Sequence, residues 1–362
     1  MTGRRPADRL FPSRVSRRLA PLAAVGLVSV LALGACSSSS TSSPRGGEST
    51  PSASTSAPVL PDSIGDLGIG THIGSDGLAH ADPQVAQRLS ESRRFDTVYL
   101  DATRDTTPDV GILRSWLADG VSPVVDLTFK NGPFTMAQIA DDSPEAHAYF
   151  DTFTAGLASL AQRAHDLHNG TRVYFSFEHE SVVKINQGKF VFAGYAGRQP
   201  TFEEAAAAWN RVQALVAQRA PDVVRLYWFG GSAVGEDEYA DLLQPDLIQM
   251  ATFDPYRRFN DSPDANAATL WGPRIDDLLS QPWMRKPDGG LKPWGLTEWG
   301  TDRQLGDASN ARFVSETLRF LSSRGARFAI YFDRADGPND FRFTDGSEPQ
   351  TLRAYLDTVS PS

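Results

Sequence analysis

The chain has 362 residues, a formal net charge of −9, 40% hydrophobic residues and a single cysteine. An acidic balance argues against nucleic acid and against adhesion to anionic lipid. One cysteine excludes a disulfide framework, so the fold must rest on an ordinary core.

The first 35 residues read as an export signal, not as part of the fold. Arg4, Arg5, Arg9, Arg14, Arg17 and Arg18 precede an apolar run from Leu19 to Ala35, which closes on Leu33-Gly34-Ala35-Cys36. A basic region, a short apolar core and small residues before a cut define a secretory signal. The run falls short of the ~20 apolar residues a membrane span needs. Its end resembles a bacterial lipobox, which implies Cys36 as the lipid-modified first residue of the mature protein. The expected location is therefore the outer face of the bacterial cell membrane, with the lipid as the only membrane contact. Loss of six Arg and one Asp with residues 1–35 takes the charge from −9 to −14. Residues 36–59 are rich in Ser, Thr and Pro, have no apolar period, and read as a flexible tether. Residues 60–362 then form one domain, expected to be monomeric.

Strand and helix signals alternate through that domain. Leu67–His72 is the candidate first strand, followed by helical sequence around Gln84–Arg93. Phe95–Asp101 is the second strand, rich in aromatic and β-branched residues. Asp109–Asp119 reads as a short helix with Ile112 and Trp116 on its inner face, and Pro123–Phe129 as the third strand. Phe150, Phe153, Leu157, Leu160 and Ala164 step by three and four, the period of one buried helical face. Val173–Phe177 is the fourth strand and runs into Glu178-His179-Glu180. Thr201 and Glu204 have capping-box spacing, and open a helix with Ala205, Trp209, Val212 and Val216 inward, stopped by Pro221. Val223–Phe229 and Asp246–Phe253 are the fifth and sixth strands, the latter leaving through Asp254-Pro255-Tyr256. Lys292–Gly300 is the seventh and carries Thr297-Glu298-Trp299-Gly300. A helix over Ala311–Ser322, an eighth strand at Phe328–Phe332 and a helix over Glu348–Val359 complete the chain.

Eight such units predict an α/β fold, the (β/α)₈ TIM barrel, which typically needs about 250 residues. The rival, an open doubly wound sheet, would favour a Gly-rich phosphate loop after the first strand. Gly68-Ile69-Gly70 lacks the third glycine. In a barrel the site lies at the C-terminal strand ends. Those ends carry His72, Asp101, Arg104, Asp126, Lys130, Glu178, His179, Glu180, Trp228, Asp254, Tyr256, Glu298, Trp299, Asp333, Arg334 and Asp336. Carboxylates with aromatics suit a sugar site: aromatic faces cover sugar rings, and two carboxyls about 5–5.5 Å apart perform retaining glycoside hydrolysis. On a regular strand Glu178 and Glu180 face the same way, so both are candidates for the acid. A raised pKa is expected for Glu180, from Glu178 or Glu298 nearby, and Tyr256 with Arg104 would keep Glu298 ionised. His72, Glu178, His179, Trp228, Tyr256 and Trp299 are candidate sugar contacts; Trp271 is a further platform candidate and Trp294 reads as core. The six histidines show no H-x-x-x-H or H-x-H pair, and no G-x-S-x-G occurs, so neither a metal nor any other cofactor is expected and a serine hydrolase is disfavoured.

The His179-Glu180 pair after strand four, Tyr149-Phe150-Asp151 on the preceding helix, Tyr256 after strand six, Thr297-Glu298-Trp299-Gly300 on strand seven and Tyr331-Phe332-Asp333 on strand eight together resemble glycoside hydrolase family 26. That family includes β-mannanases, β-glucanases and β-xylanases. The resemblance implies a retaining hydrolase of a β-linked polysaccharide, with Glu180 as acid/base and Glu298 as nucleophile. The chain departs from the family at Ser176, where members usually carry Arg, and at Ser181-Val182-Val183-Lys184, where they usually carry sugar contacts. These departures leave the sugar open. They also motivate the alternative of a surface lipoprotein whose barrel binds glycan without cleaving it.

Overall fold

The computed structural model describes residues 65–73, 83–108, 111–230 and 234–359. The signal, Cys36 and the tether lie outside the described residues. Eight parallel strands close into a barrel: Gly68–Ile73, Phe95–Asp101, Ser122–Thr128, Tyr174–Phe177, Val224–Phe229, Met250–Phe253, Trp294–Thr301 and Phe328–Asp333. Each strand pairs with the next, and the eighth pairs with the first over Gly68–Ile73 and Phe328–Asp333, so no edge is left open. The TIM barrel read from the sequence is the fold.

The interior is a packed core, not a channel. Phe95, Tyr174, Val224 and Phe328 fill one end; Val124, Leu226, Met250 and Ile330 fill the middle; Tyr99 and Trp228 cap them toward the mouth. Outside, the helices bury their periodic faces. The helix Pro144–Leu167 covers the barrel with Phe150, Phe153, Leu157, Leu160 and Ala164, as its spacing predicts. Ser143 caps its start and His168, in a left-handed conformation, ends it. The capping box of Thr201 and Glu204 opens Phe202–Arg219, with Trp209, Val212 and Val216 buried.

Two expectations about helices and strands are corrected. On the helix Gly111–Ala118 the inner face is Leu113 and Leu117, while Ile112 is 54% exposed and Trp116 packs half-buried under the Arg93 guanidinium. A stretch this short supports more than one apolar stripe, and packing decides between them. The seventh strand, expected over Lys292–Gly300, starts at Trp294 and runs on to Thr301. Its register against the eighth shifts between Leu296↔Ala329 and Trp299↔Tyr331, three residues opposing two. This bulge puts both Leu296 and Trp299 into the outer core although they are three positions apart, where regular alternation would set them on opposite faces. Glu298, inside it, is re-aimed at the mouth.

The first strand lies so close to its neighbours that a Cβ on Gly70 would sit 2.5 Å from the Phe95 carbonyl oxygen and 2.8 Å from Ile330 Cγ1. Gly70→Ala should therefore lower stability by about 1–3 kcal/mol through overpacking, read as a shifted midpoint in urea unfolding.

Candidate active site

The mouth is built around the end of the fourth strand. That strand stops at Phe177, and the next residues turn sharply: Glu178 has φ 53° and Glu180 φ 52°. Left-handed non-glycine residues cost of order 1–3 kcal/mol each and persist only where their surroundings fix them. The alternation that would aim Glu178 and Glu180 together therefore does not apply. Glu178 turns inward and is 2% exposed. Its carboxylate accepts hydrogen bonds from Lys184 Nζ at 2.7 Å, Thr128 Oγ1 at 3.0 Å and the Phe129 backbone amide. Fully engaged there, Glu178 is neither a second acid nor a sugar contact. It holds the turn.

That turn delivers His179 and Glu180 to the mouth. The His179 ring bonds through Nδ1 to the buried Asp126 carboxylate, whose other oxygen accepts the His179 backbone amide at 3.1 Å. Burial disfavours the imidazolium, yet Asp126 more than offsets this and raises the His179 pKa, against the opposing charge of Lys184. Nε2 lies 4.0 Å from Glu180 Oε2. The Trp228 ring packs against His179 at 4.8 Å between centroids.

Glu298 faces this group from the seventh strand. Tyr99, on the second strand, and Tyr256, after the sixth, donate their hydroxyls to its two carboxylate oxygens. Burial raises the Glu298 pKa, and Glu180 adds to that; the His179 charge and the two tyrosines act in the opposite direction. Arg104 takes no part. It is 75% exposed on its side chain and lies 3.9 Å from Asp101.

Asp254 joins the group beside Glu180, whose charge acts on it, and it accepts Trp228 Nε1–H at 3.2 Å. Burial and then the charges of Glu180 and Glu298 push Asp254 well above the usual carboxylate range. Burial pushes Glu180 up too, but the His179 charge and the Asp254 hydrogen bond hold it below its ordinary value. Of these two neighbouring carboxyls, Asp254 is therefore the one pushed toward the neutral form. This corrects the expectation of a Glu180 pKa raised by Glu178 or Glu298.

The other candidate contacts divide. His72 stands at the mouth, stacked on Phe332 at 5.9 Å and edge-on to Tyr99 at 5.2 Å. Trp228 is only 2% exposed and serves as a wall that positions His179 and Asp254. Trp299 is fully buried on the helix side, against Tyr331 at 4.8 Å and Trp271 at 6.3 Å, so neither it nor Trp271 offers a sugar platform. Trp294 is core, as expected. Asp333 is turned inward to accept the Phe343 and Thr344 amides at 2.7 and 3.3 Å.

Sequence reasoning assigned no role to Tyr99 and left Asp254 without one. Alternation along Phe95–Asp101 places Tyr99 on the inner face with Phe95, a signal that would have found it. Among the described residues, no group of three or more His, Cys, Asp or Glu side chains is arranged to hold a metal ion.

No family model and no curated protein matches the chain. Among solved structures it is similar to a family 39 glycoside hydrolase from Bacteroides cellulosilyticus WH2, at 14% identity and TM-score 0.51, over 83% of this chain and 66% of that one. It is similar to a ruminal GH26 endo-β-1,4-mannanase at 11% identity and TM-score 0.50, over 82% of this chain and 63% of that one. A GH128 subgroup II endo-β-1,3-glucanase from Sorangium cellulosum aligns at 17% identity and TM-score 0.50, over 81% of this chain and 98% of that one. The chain thus spans less than two thirds of the length of the first two. At these identities the likeness is one of fold.

The Glu178–Lys184 pair is nearly inaccessible to water, with side chains 1% and 4% exposed. Lys184→Met should strand a buried carboxylate and cost about 3–5 kcal/mol in chemical denaturation. Adding Glu178→Gln should recover much of that loss.

Proposed function

We propose that the domain is a retaining glycoside hydrolase that cleaves a β-linked polysaccharide of mannan, glucan or xylan type. One observation carries this reading: Glu298, held by Tyr99 and Tyr256, faces Glu180 and its neighbour Asp254 across the mouth of a closed barrel. Glu298 attacks the anomeric carbon as the glycosidic C–O bond breaks, and the leaving oxygen takes its proton from Glu180. Asp254, beside Glu180 and pushed well above the usual carboxylate range, is the group that supplies Glu180 with that proton. Water then attacks the same carbon, gives a proton to Glu180 and releases Glu298, with net retention. His179, charged through Asp126, steadies both glutamates while they are ionised.

Glu298→Gln should abolish release of reducing ends from the true substrate with the unfolding midpoint preserved. Glu180→Ala should slow hydrolysis of the polysaccharide by about 10²–10⁴-fold, the usual contribution of a general acid. With an activated aryl glycoside and added azide, that variant should yield a glycosyl azide of retained configuration. Cleavage unchanged by either substitution would overturn the reading. The rival, glycan binding without cleavage, draws on the low pKa of Glu180. It predicts that the wild-type protein binds the polysaccharide and releases no reducing ends.

We also propose that the mature chain is anchored at the outer membrane face through a lipid on Cys36. The support is the Leu33-Gly34-Ala35-Cys36 sequence after a basic and apolar signal. Cys36→Ser should move the protein from the membrane fraction to the soluble one, as followed by fractionation and blotting.

A further inference from the structure

The eighth strand leaves the barrel at Asp333, and the next side chain is Arg334. Its Nη1 lies 3.4 Å from Nε2 of His72, and its guanidinium carbon 5.8 Å from the centre of the Phe332 ring. His72 is itself fixed. Its Nδ1 lies 3.3 Å from Oδ1 of Asp96, a residue 4% exposed that also accepts the Thr97 amide at 2.7 Å and Arg93 Nη1 at 2.8 Å. In the tautomer whose Nδ1–H donates to Asp96, Nε2 is the acceptor and Arg334 donates to it. The backbone is held as well: the Phe341 amide donates to the Arg334 carbonyl at 3.0 Å, and Phe341 stacks on Tyr256 at 4.6 Å.

Arg334 is therefore placed by an acceptor and an aromatic face, and among the described residues no carboxylate stands within ion-pair distance of it. It is exposed at the mouth, on the wall His72–Tyr99–Phe332–Tyr256 whose two tyrosines hold Glu298. Among the described residues, His72 is the one side-chain acceptor within reach of the five N–H donors of Arg334. A pre-placed guanidinium with free donors is matched to the two oxygens of a carboxylate. In a protein of net charge −9 the long-range field repels an anion, so an anionic sugar would need a local cation of this kind.

We infer that Arg334, positioned by the Asp96–His72 pair, forms an anion subsite for the carboxylate of a uronic-acid residue. The polysaccharide bound at this mouth is then a β-linked uronate-bearing glycan. This rests on the proposed glycan site but not on cleavage.

Binding can be measured by calorimetry on the full-length Glu298→Gln protein, which holds ligand without turnover. Two matched pairs isolate the carboxylate: β-1,4-glucuronan against cello-oligosaccharides, and β-1,4-mannuronan against manno-oligosaccharides of equal length. In at least one pair the uronate should bind about tenfold tighter or more. Adding Arg334→Ala should erase that difference without weakening the neutral partner, and Arg334→Lys should restore part of it. Equal binding within both pairs, no binding of either uronate, or a preference that survives Arg334→Ala would overturn the inference. Uronate preference in a wild-type protein that releases no reducing ends would leave Arg334 assigned and overturn the hydrolase reading. Cleavage of a neutral oligosaccharide without that preference would do the reverse.

Discussion

The buried carboxylate of Glu178 fixes the turn on which the mouth depends. Two left-handed residues within three positions are unfavourable, and the chain would relax without an anchor. Lys184, Thr128 and the Phe129 amide supply one. Lys184 comes from the short helix Ser181–Asn186 that the turn itself starts, and Thr128 from the end of the third strand. The anchor thus ties together the strand before the turn, the helix after it and the neighbouring strand. His179 and Glu180 inherit their positions from this clamp. A buried ion pair is weak evidence for net stability. Here it sets direction: one glutamate is buried so that the other faces the mouth.

The same stretch governs the charge at the site. Asp126, Glu180, Asp254 and Glu298 stand near one another with little water, and four carboxylates in such surroundings cannot all ionise. Asp126 favours the charged form of His179, which stands beside Glu180, and the Lys184 charge also acts on Asp126 and Glu180. Burial and the neighbouring charges push Asp254 toward its neutral form. Glu298 has two hydroxyl donors and is the carboxylate whose lone pairs are best satisfied from outside the cluster. Environment therefore sets chemically similar side chains apart: Asp254 and Glu298 are pushed up and Glu180 down, so of the neighbouring Glu180 and Asp254 it is Asp254 that is biased toward holding a proton.

Much of this was legible in the sequence. The barrel followed from eight alternating units because each strand and helix carries its own period, as Phe150 to Ala164 do on one helix. Glu180 and Glu298 were legible because strand ends in such a barrel converge. Two local events were not. The left-handed turn at Glu178 breaks alternation in a stretch with no glycine to announce it, and the bulge at Glu298 inverts the sides taken by Trp299 and its neighbours. Both misled the same inference, that position along a strand gives direction. Asp254 lies one residue beyond its strand, where sequence assigns no side, so only packing against Trp228 and Glu180 reveals its part.

The two tyrosines on Glu298 are secured in different ways. Tyr99 lies within the second strand, which pairs with the third along its whole length, Tyr99 opposite Asp126. Tyr256 lies on an excursion after the sixth strand and has only Gly300 and its neighbour Thr301 to pair along. Its fixity comes from the next residue. Arg257 is fully buried, donates to the Pro263 carbonyl at 2.6 Å and to Ser309 Oγ at 2.8 Å, and lies over the Phe313 ring at 4.7 Å. It pins the segment to the helix Asp307–Ser323, while Phe341 covers Tyr256 from the other side. A hydroxyl that must meet a carboxylate oxygen needs its backbone held to a fraction of an ångström. For Tyr99 the sheet does this. For Tyr256 a buried guanidinium does, and it thereby couples the outer helical layer to the orientation of Glu298.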